Sequence, residues 1–184
     1  MNLMLKIFLS FLVLSNGLYL QAFSGSTGTE NDTHQTKVHK KIKVGNIIPD
    51  FRLADLDGYI AMISMQSLRG KYVLIHIWGT SCRACIMDMP YLHTAYERFK
   101  DKNFLIYSIA RDRLENVQRF RNNPKYKMPW RHSIFDAEII NLLEIEGYPT
   151  QILVSPTGEI LLVQIGTMGK RLEKILEETI EKTQ

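Results

Sequence analysis

Hydrophobic and polar positions change period several times along the chain, and each change marks an element. Residues 72–78, YVLIHIW, form a nearly unbroken apolar run of strand length after the turn-prone SMQSLRGK, the pattern of a central strand buried on both faces. Directly beyond it the period lengthens to that of a helix, with Cys85, Met89, Leu92, Tyr96 and Phe99 at spacings of four, three, four and three. Pro90 inside this stretch predicts a kink. NFLIYSIA at 103–110 predicts a second buried strand, and RLENVQRFRNN at 113–123 an amphipathic helix stopped before Pro124. A loop with Pro129 and Trp130 then leads to a short helix, DAEIINLLEI. TQILV and EILLVQI flank SPTG as an antiparallel hairpin, and the last helix carries Leu172, Ile175, Leu176, Thr179 and Ile180 on one side. Ahead of all these, GNIIPDFRLADLDG at 45–58 predicts an extended entry closed by an Asp-Gly turn, with YIAMIS returning as a short strand. The order is strand, helix, strand, helix, hairpin, helix, without an internal repeat.

The amino terminus follows a different logic. Lys6 precedes the apolar run IFLSFLVL at 7–14, and after SNG a second run, LYL, leads to small residues around Ala22 and Ser24. Residues 1–24 therefore predict an export signal. The alternative is a retained membrane anchor, since Leu3 to Phe23 is long enough to span if Asn16 and Gly17 are accommodated. No cysteine follows the run, which excludes a lipoprotein anchor. Residues 25–41 are polar and predict a flexible leader. Residues 42–184 then form the domain, and 184 residues with 45% hydrophobic content suit one core rather than two. The net charge of +4 is spread along the chain apart from KVHKKIK at 37–43, so no phosphate-tracking surface is built and nucleic acid is excluded as a partner.

Chemistry concentrates in WGTSCRACIMDMP, which holds the chain's two cysteines, Cys82 and Cys85. Where a buried strand gives way to a helix, the first sulfur meets unpaired N–H groups and the positive end of the macrodipole, which favour its thiolate. Cys82 is then the exposed nucleophile and Cys85 the shielded thiol that resolves a mixed disulfide; Arg83 adds positive charge. Zinc needs four ligands, yet there is no second cysteine pair, and His76, His93 and His132 are scattered. Haem attachment needs a histidine after the second cysteine, where Ile86 stands. An inert staple stays open for an exported chain, but so short a loop stabilises little. The reading calls for no metal and no cofactor.

GNIIPDF, LDG, LRGKYVLIHIWGTSC, CIMDMP, GYPT and SPTGEI, in this order and spacing across residues 45–182, resemble the thioredoxin superfamily. Within it they are most similar to the TlpA/ResA group of exported thiol-disulfide oxidoreductases with an AhpC/TSA-redoxin-like domain. The resemblance implies a thioredoxin-like three-layer α/β/α fold with a central mixed sheet, an additional N-terminal β-hairpin, and an inserted segment after the second core strand, here including 124–145. It implies a cis bond before Pro149, with Tyr148 offering its backbone to an extended substrate strand, and Trp78 shielding one side of the disulfide. Asp88 matches an acidic residue placed near the cysteines, either tuning the thiols and moving a proton or standing as a solvated first-turn carboxylate. His76 stands where thioredoxin has a buried aspartate. It is either a proton acceptor for Cys85 or a satisfied core histidine. Arg83-Ala84 departs from the group's frequent proline before the second cysteine, which leaves the reduction potential open.

By resemblance, then, the chain reduces disulfides of exported, periplasmic proteins, apocytochrome c among the candidate targets of a cytochrome c maturation role. Electrons return from a membrane thiol donor. A dithiol oxidant would use the same residues at another potential. A peroxiredoxin-like peroxidase is disfavoured because Thr80 lies two rather than three residues before Cys82 and VLIHIWG has no proline. A non-catalytic binding module is the reading from another class, and it predicts no disulfide exchange.

Overall fold

Two strands with almost no polar positions set the middle of the molecule, and the rest is arranged to cover them. The computed structural model describes residues 42–56 and 62–181. The expected export segment 1–24, the leader 25–41 and the Asp57-Gly58 turn lie outside the described residues, as do Tyr59 to Ala61 of the returning strand. In order, the elements are β1 (Arg52–Ala54), β2 (Met62–Ser64), β3 (Tyr72–Trp78), α1 (Arg83–Phe99), β4 (Phe104–Ala110), α2 (Leu114–Arg121), β5 (Arg131–Ile134), α3 (Ala137–Leu142), β6 (Thr150–Val154), β7 (Ile160–Ile165) and α4 (Arg171–Leu176), which continues into a π-helical turn, Glu177–Glu181.

Five strands form one mixed sheet in the order β5-β4-β3-β6-β7, and β1 and β2 pair separately as a small antiparallel hairpin. β3 and β4 run parallel from Tyr72 opposite Phe104 to Trp78 opposite Ala110, while β6 lies antiparallel on the other side of β3. Period-two alternation then divides the core into two clusters. Leu74, Trp78, Ile106 and Leu153 face α1 and α4, whereas Val73, Ile75, Ile77 and Ile152 face α3 and the segment around Ile48, Phe51 and Leu53. This is the expected three-layer α/β/α architecture with its N-terminal hairpin.

The structure departs from the hydrophobic pattern in one element. The stretch read as a loop with Pro129 and Trp130 continues directly into β5, which lies parallel to β4 at the sheet edge from Tyr107 opposite Arg131 to Ala110 opposite Ile134. Its four residues, RHSI, have no period to read, because His132 and Ser133 are both buried despite being polar. β5 and α3 both fall within the expected inserted segment. The helix through Pro90 is continuous from Arg83 to Phe99, although proline withholds the N–H that would cover the Ile86 carbonyl. At the SPTG turn, Gly158 has φ +87°, a backbone sign that demands glycine.

Candidate functional site

The end of β3 and the start of α1 set the two sulfurs. Cys82 has extended backbone angles and caps α1: its Sγ accepts the Cys85 N–H at 3.1 Å, and its carbonyl accepts the Ile86 N–H at 3.0 Å. The cysteines are joined as a disulfide, with S–S 2.11 Å and Cα–Cα 5.2 Å. Cys82 is half-buried, while Cys85 is fully enclosed among Trp78, Met89 and their neighbours. One sulfur is therefore reachable and hydrogen-bonded to the helix end, and the other is not reachable.

Asp88 is neither in the first turn nor solvated, which corrects one of its two expected readings. It lies in the second turn of α1 and is 2% exposed. Its Oδ2 accepts Gln151 Nε2 and the Met168 N–H, both at 2.8 Å, and its Oδ1 accepts the Gly169 N–H at 3.0 Å. The carboxylate is buried because three donors replace water around it. It ties the cysteine helix to β6 and to the turn between β7 and α4.

His76 is fully buried, and burial pushes its pKa down to about 3. Its Nδ1 lies 3.0 Å from Ser108 Oγ, which also accepts Trp130 Nε1–H at 2.8 Å. An indole N–H only donates, so the serine hydroxyl proton is left for Nδ1 and the imidazole proton sits on Nε2. Nε2 has no partner among the described residues, and neither does Oε1 of Gln151, its cross-strand neighbour. His76 is thus a neutral, half-satisfied core histidine. His132, on the far side of Ser108 in the sheet, is held well below its ordinary pKa, chiefly by burial and secondarily by Arg121.

Trp78 stacks on His76 at 6.1 Å between ring centroids, with Phe120 tilted over it at 5.1 Å. It is fully buried, so its ring floors the Cys85 side and presents no open face to an incoming chain. The Tyr148–Pro149 bond is cis, as the resemblance implies. Pro149 is buried and Tyr148 half-buried, and the Tyr148 main chain makes no hydrogen bond among the described residues. The Arg111 guanidinium lies 5.5 Å from the Tyr148 ring centroid, and the Arg111 N–H donates to the Trp78 carbonyl. Sequence reasoning missed Arg111, Gln151 and Ser108. The available signal for Arg111 was its place at the carboxyl end of a central strand, where open α/β sheets gather their sites. Thr80 donates to Asp112, whose pKa is lowered first by that bond and then by Asn116. Among the described residues no group of three or more metal-ligating side chains is assembled, and no helix is long and apolar enough to cross a membrane.

The AhpC/TSA family model matches residues 44–163. Among curated proteins, the chain is 30% identical over 141 residues to a thiol-disulfide oxidoreductase ResA of Bacillus cereus, covering 76% of this chain and 80% of that protein. It is 31% identical over 142 residues to ResA of Halalkalibacterium halodurans, covering 76% of each. Among solved structures, the thioredoxin domain of a thiol-disulfide oxidoreductase from Bacteroides vulgatus superposes with a TM-score of 0.67 at 28% identity, over 76% of this chain and 99% of that one. A thiol:disulfide interchange protein from Bacteroides sp. gives 0.66 at 29% identity, over 76% and 91%.

Removing the buried carboxylate or the buried imidazole has measurable consequences. Asp88→Leu strands three donors and lowers unfolding free energy by about 3 kcal/mol or more, whereas Asp88→Asn, which keeps an acceptor, loses less. Urea midpoints of the oxidised protein measure both, and a loss under about 1 kcal/mol for the leucine variant would remove the clamp from the account. For the histidines, the folded pKa lies below the unfolded 6.5, so the unfolded chain takes up the proton first as pH falls. Stability is full above 6.5 and declines as pH drops toward the folded value, at up to about 1.4 kcal/mol per pH unit for each histidine. His76→Leu should flatten the stability curve between about pH 6 and about pH 5 relative to the parent chain; parallel curves would contradict the neutral assignment.

Proposed function

The chain belongs to the AhpC/TSA family and is a thioredoxin-fold thiol-disulfide oxidoreductase, and we propose that Cys82 attacks and Cys85 resolves to reduce disulfides in extracytoplasmic proteins, the apolar segment at 1–24 directing export. The observation that carries this reading is the asymmetry of the pair: Cys82 is half-buried with its Sγ bonded to a helix N–H, while Cys85 is enclosed. In the reduced chain the Cys82 thiolate attacks a substrate S–S bond, forming a mixed disulfide and releasing one substrate thiolate. The Cys85 thiol passes its proton through solvent to that thiolate and attacks Cys82 Sγ, releasing the second substrate thiolate. Two electrons have passed to the substrate, and the chain is left as the Cys82–Cys85 disulfide. A membrane dithiol donor resets it by the reverse exchange.

The substrate lies as an extended strand along the open Tyr148 backbone beside Pro149. Apocytochrome c is one candidate target, in a periplasmic setting reached through the apolar segment at 1–24. The reductive direction follows the resemblance to the TlpA/ResA group, since a dithiol oxidant would use the same residues at another potential. Asp88 acts as a positioning residue that fixes the cysteine helix against the strand following Pro149. Thr80, committed to Asp112, is not free to serve a peroxidatic sulfur.

Cys85→Ser should trap protein partners as mixed disulfides through Cys82, and the additional change Cys82→Ser should abolish trapping. The equilibrium potential of the couple against glutathione should lie at or below about −270 mV. A value of about −120 mV would reverse the direction of transfer and leave the exchange chemistry standing. No trapping together with no exchange would instead favour a binding module.

A further inference from the structure

Along α1 directly after the cysteines, the outer face of the helix is not covered. Ile86, Met87 and Pro90 form one wall of a groove of about 480 Å³, and Lys125, Tyr126 and Lys127 from the segment between α2 and β5 form the other. Met87, two residues after Cys85, is 62% exposed although apolar. The facing segment is held in place: Tyr126 stacks on Phe120 at 4.0 Å, and Phe120 in turn covers Trp78. Lys127 has φ +36°, a backbone conformation costly for a residue with a side chain.

The charge of this groove is one-sided. Its lining includes two lysines and His93 but no carboxylate, and among the described residues neither ammonium forms an ion pair. Where the groove continues past His93, Glu97 appears, but its carboxylate is already taken by Lys100 at 2.6 Å. An apolar floor with unpaired cations on one rim fits an apolar segment that carries acidic side chains. We propose that this groove is the docking site for an apolar, acidic stretch of the substrate protein next to its target disulfide, and that it selects which disulfides the chain reduces. The inference rests on the reductive reading above. The Tyr148 edge takes the strand that bears the disulfide, and the groove takes the flank beyond it.

The test uses the reduced full chain and three peptides with the same disulfide ring. One flank carries leucines with three glutamates, one carries leucines with three lysines, and one carries serines with three glutamates. The second-order rate of protein oxidation is followed by tryptophan fluorescence. The leucine-glutamate peptide should react at least about tenfold faster than either of the others, and its advantage over the lysine peptide should shrink at high salt. The double variant Lys125→Glu, Lys127→Glu should reverse the charge preference, while the matched change Lys43→Glu, Lys174→Glu, away from the groove, should keep it. Equal rates for the three peptides would overturn the groove while leaving the reductase reading intact. The same holds if both double variants shift the preference equally, because net charge would then account for it. If no peptide is reduced, the reductive reading fails and the groove proposal falls with it.

Discussion

Burial of the Asp88 carboxylate constrains everything around the sulfurs. A carboxylate taken out of water survives only where donors replace the lost hydration, and here those donors come from two separate places in the chain: Gln151 on β6, and the Met168–Gly169 turn leading into α4. Gln151 lies two residues after Pro149, so the carboxylate bolts the helix that carries Cys82 and Cys85 to the strand that begins at the cis peptide. α4 is brought onto α1 by the same group, and Leu172, Leu176 and Ile180 then complete the cluster under Leu92 and Phe99. The spacing between the sulfurs and the Tyr148 backbone is thereby set by a polar contact with little freedom, rather than by apolar packing alone.

A second set of polar groups lies deeper, on the same face. Trp130 donates to Ser108, Ser108 to His76, and on the neighbouring strand Gln151 donates to Asp88. Donor directions along each piece are fixed by an indole that only donates at one end and a carboxylate that only accepts at the other. The two pieces stop at the cross-strand pair His76 and Gln151, where the imidazole N–H and the amide oxygen are each left without a partner among the described residues. The ring at that break is kept neutral by its burial.

What the sequence disclosed, and what it withheld, divides along these lines. β3, β4 and α1 were legible because burial on two faces or on one helical face writes a period into the residue types, and the Cys82–Cys85 pair was legible from its place at a strand–helix junction. The cis bond at Pro149 came from the resemblance of GYPT in its context. β5 was not legible, since RHSI is held by ladder bonds to β4 and by burial of polar side chains that mimic a loop. Asp88 was recognised by position, and its environment was left open between a role beside the thiols and a solvated carboxylate. An acidic residue early in a helix usually gains from the dipole in water, and only the return of the chain at Met168 reveals that this one is enclosed. Arg111 and Ser108 take their meaning from neighbours more than 20 residues away, which no local pattern records.

The segment after α2 joins these features to the surface. Phe120 touches Trp78 on its inner side and Tyr126 on its outer side, so one aromatic ring is shared between the floor beneath Cys85 and the wall of the groove beside α1. Deepening the groove by moving Tyr126 would loosen the cover over Trp78, and a rigid stack resists that because aromatic contacts lose their attraction within a short displacement. The groove is therefore as firmly shaped as the site it adjoins, although its residues lie in a connecting segment. Loops held by such a scaffold are where recognition concentrates in folded domains. Here that stack lies against both Trp78 and the groove wall, so the proposed recognition of a flank would rest on the same packing that covers the tryptophan.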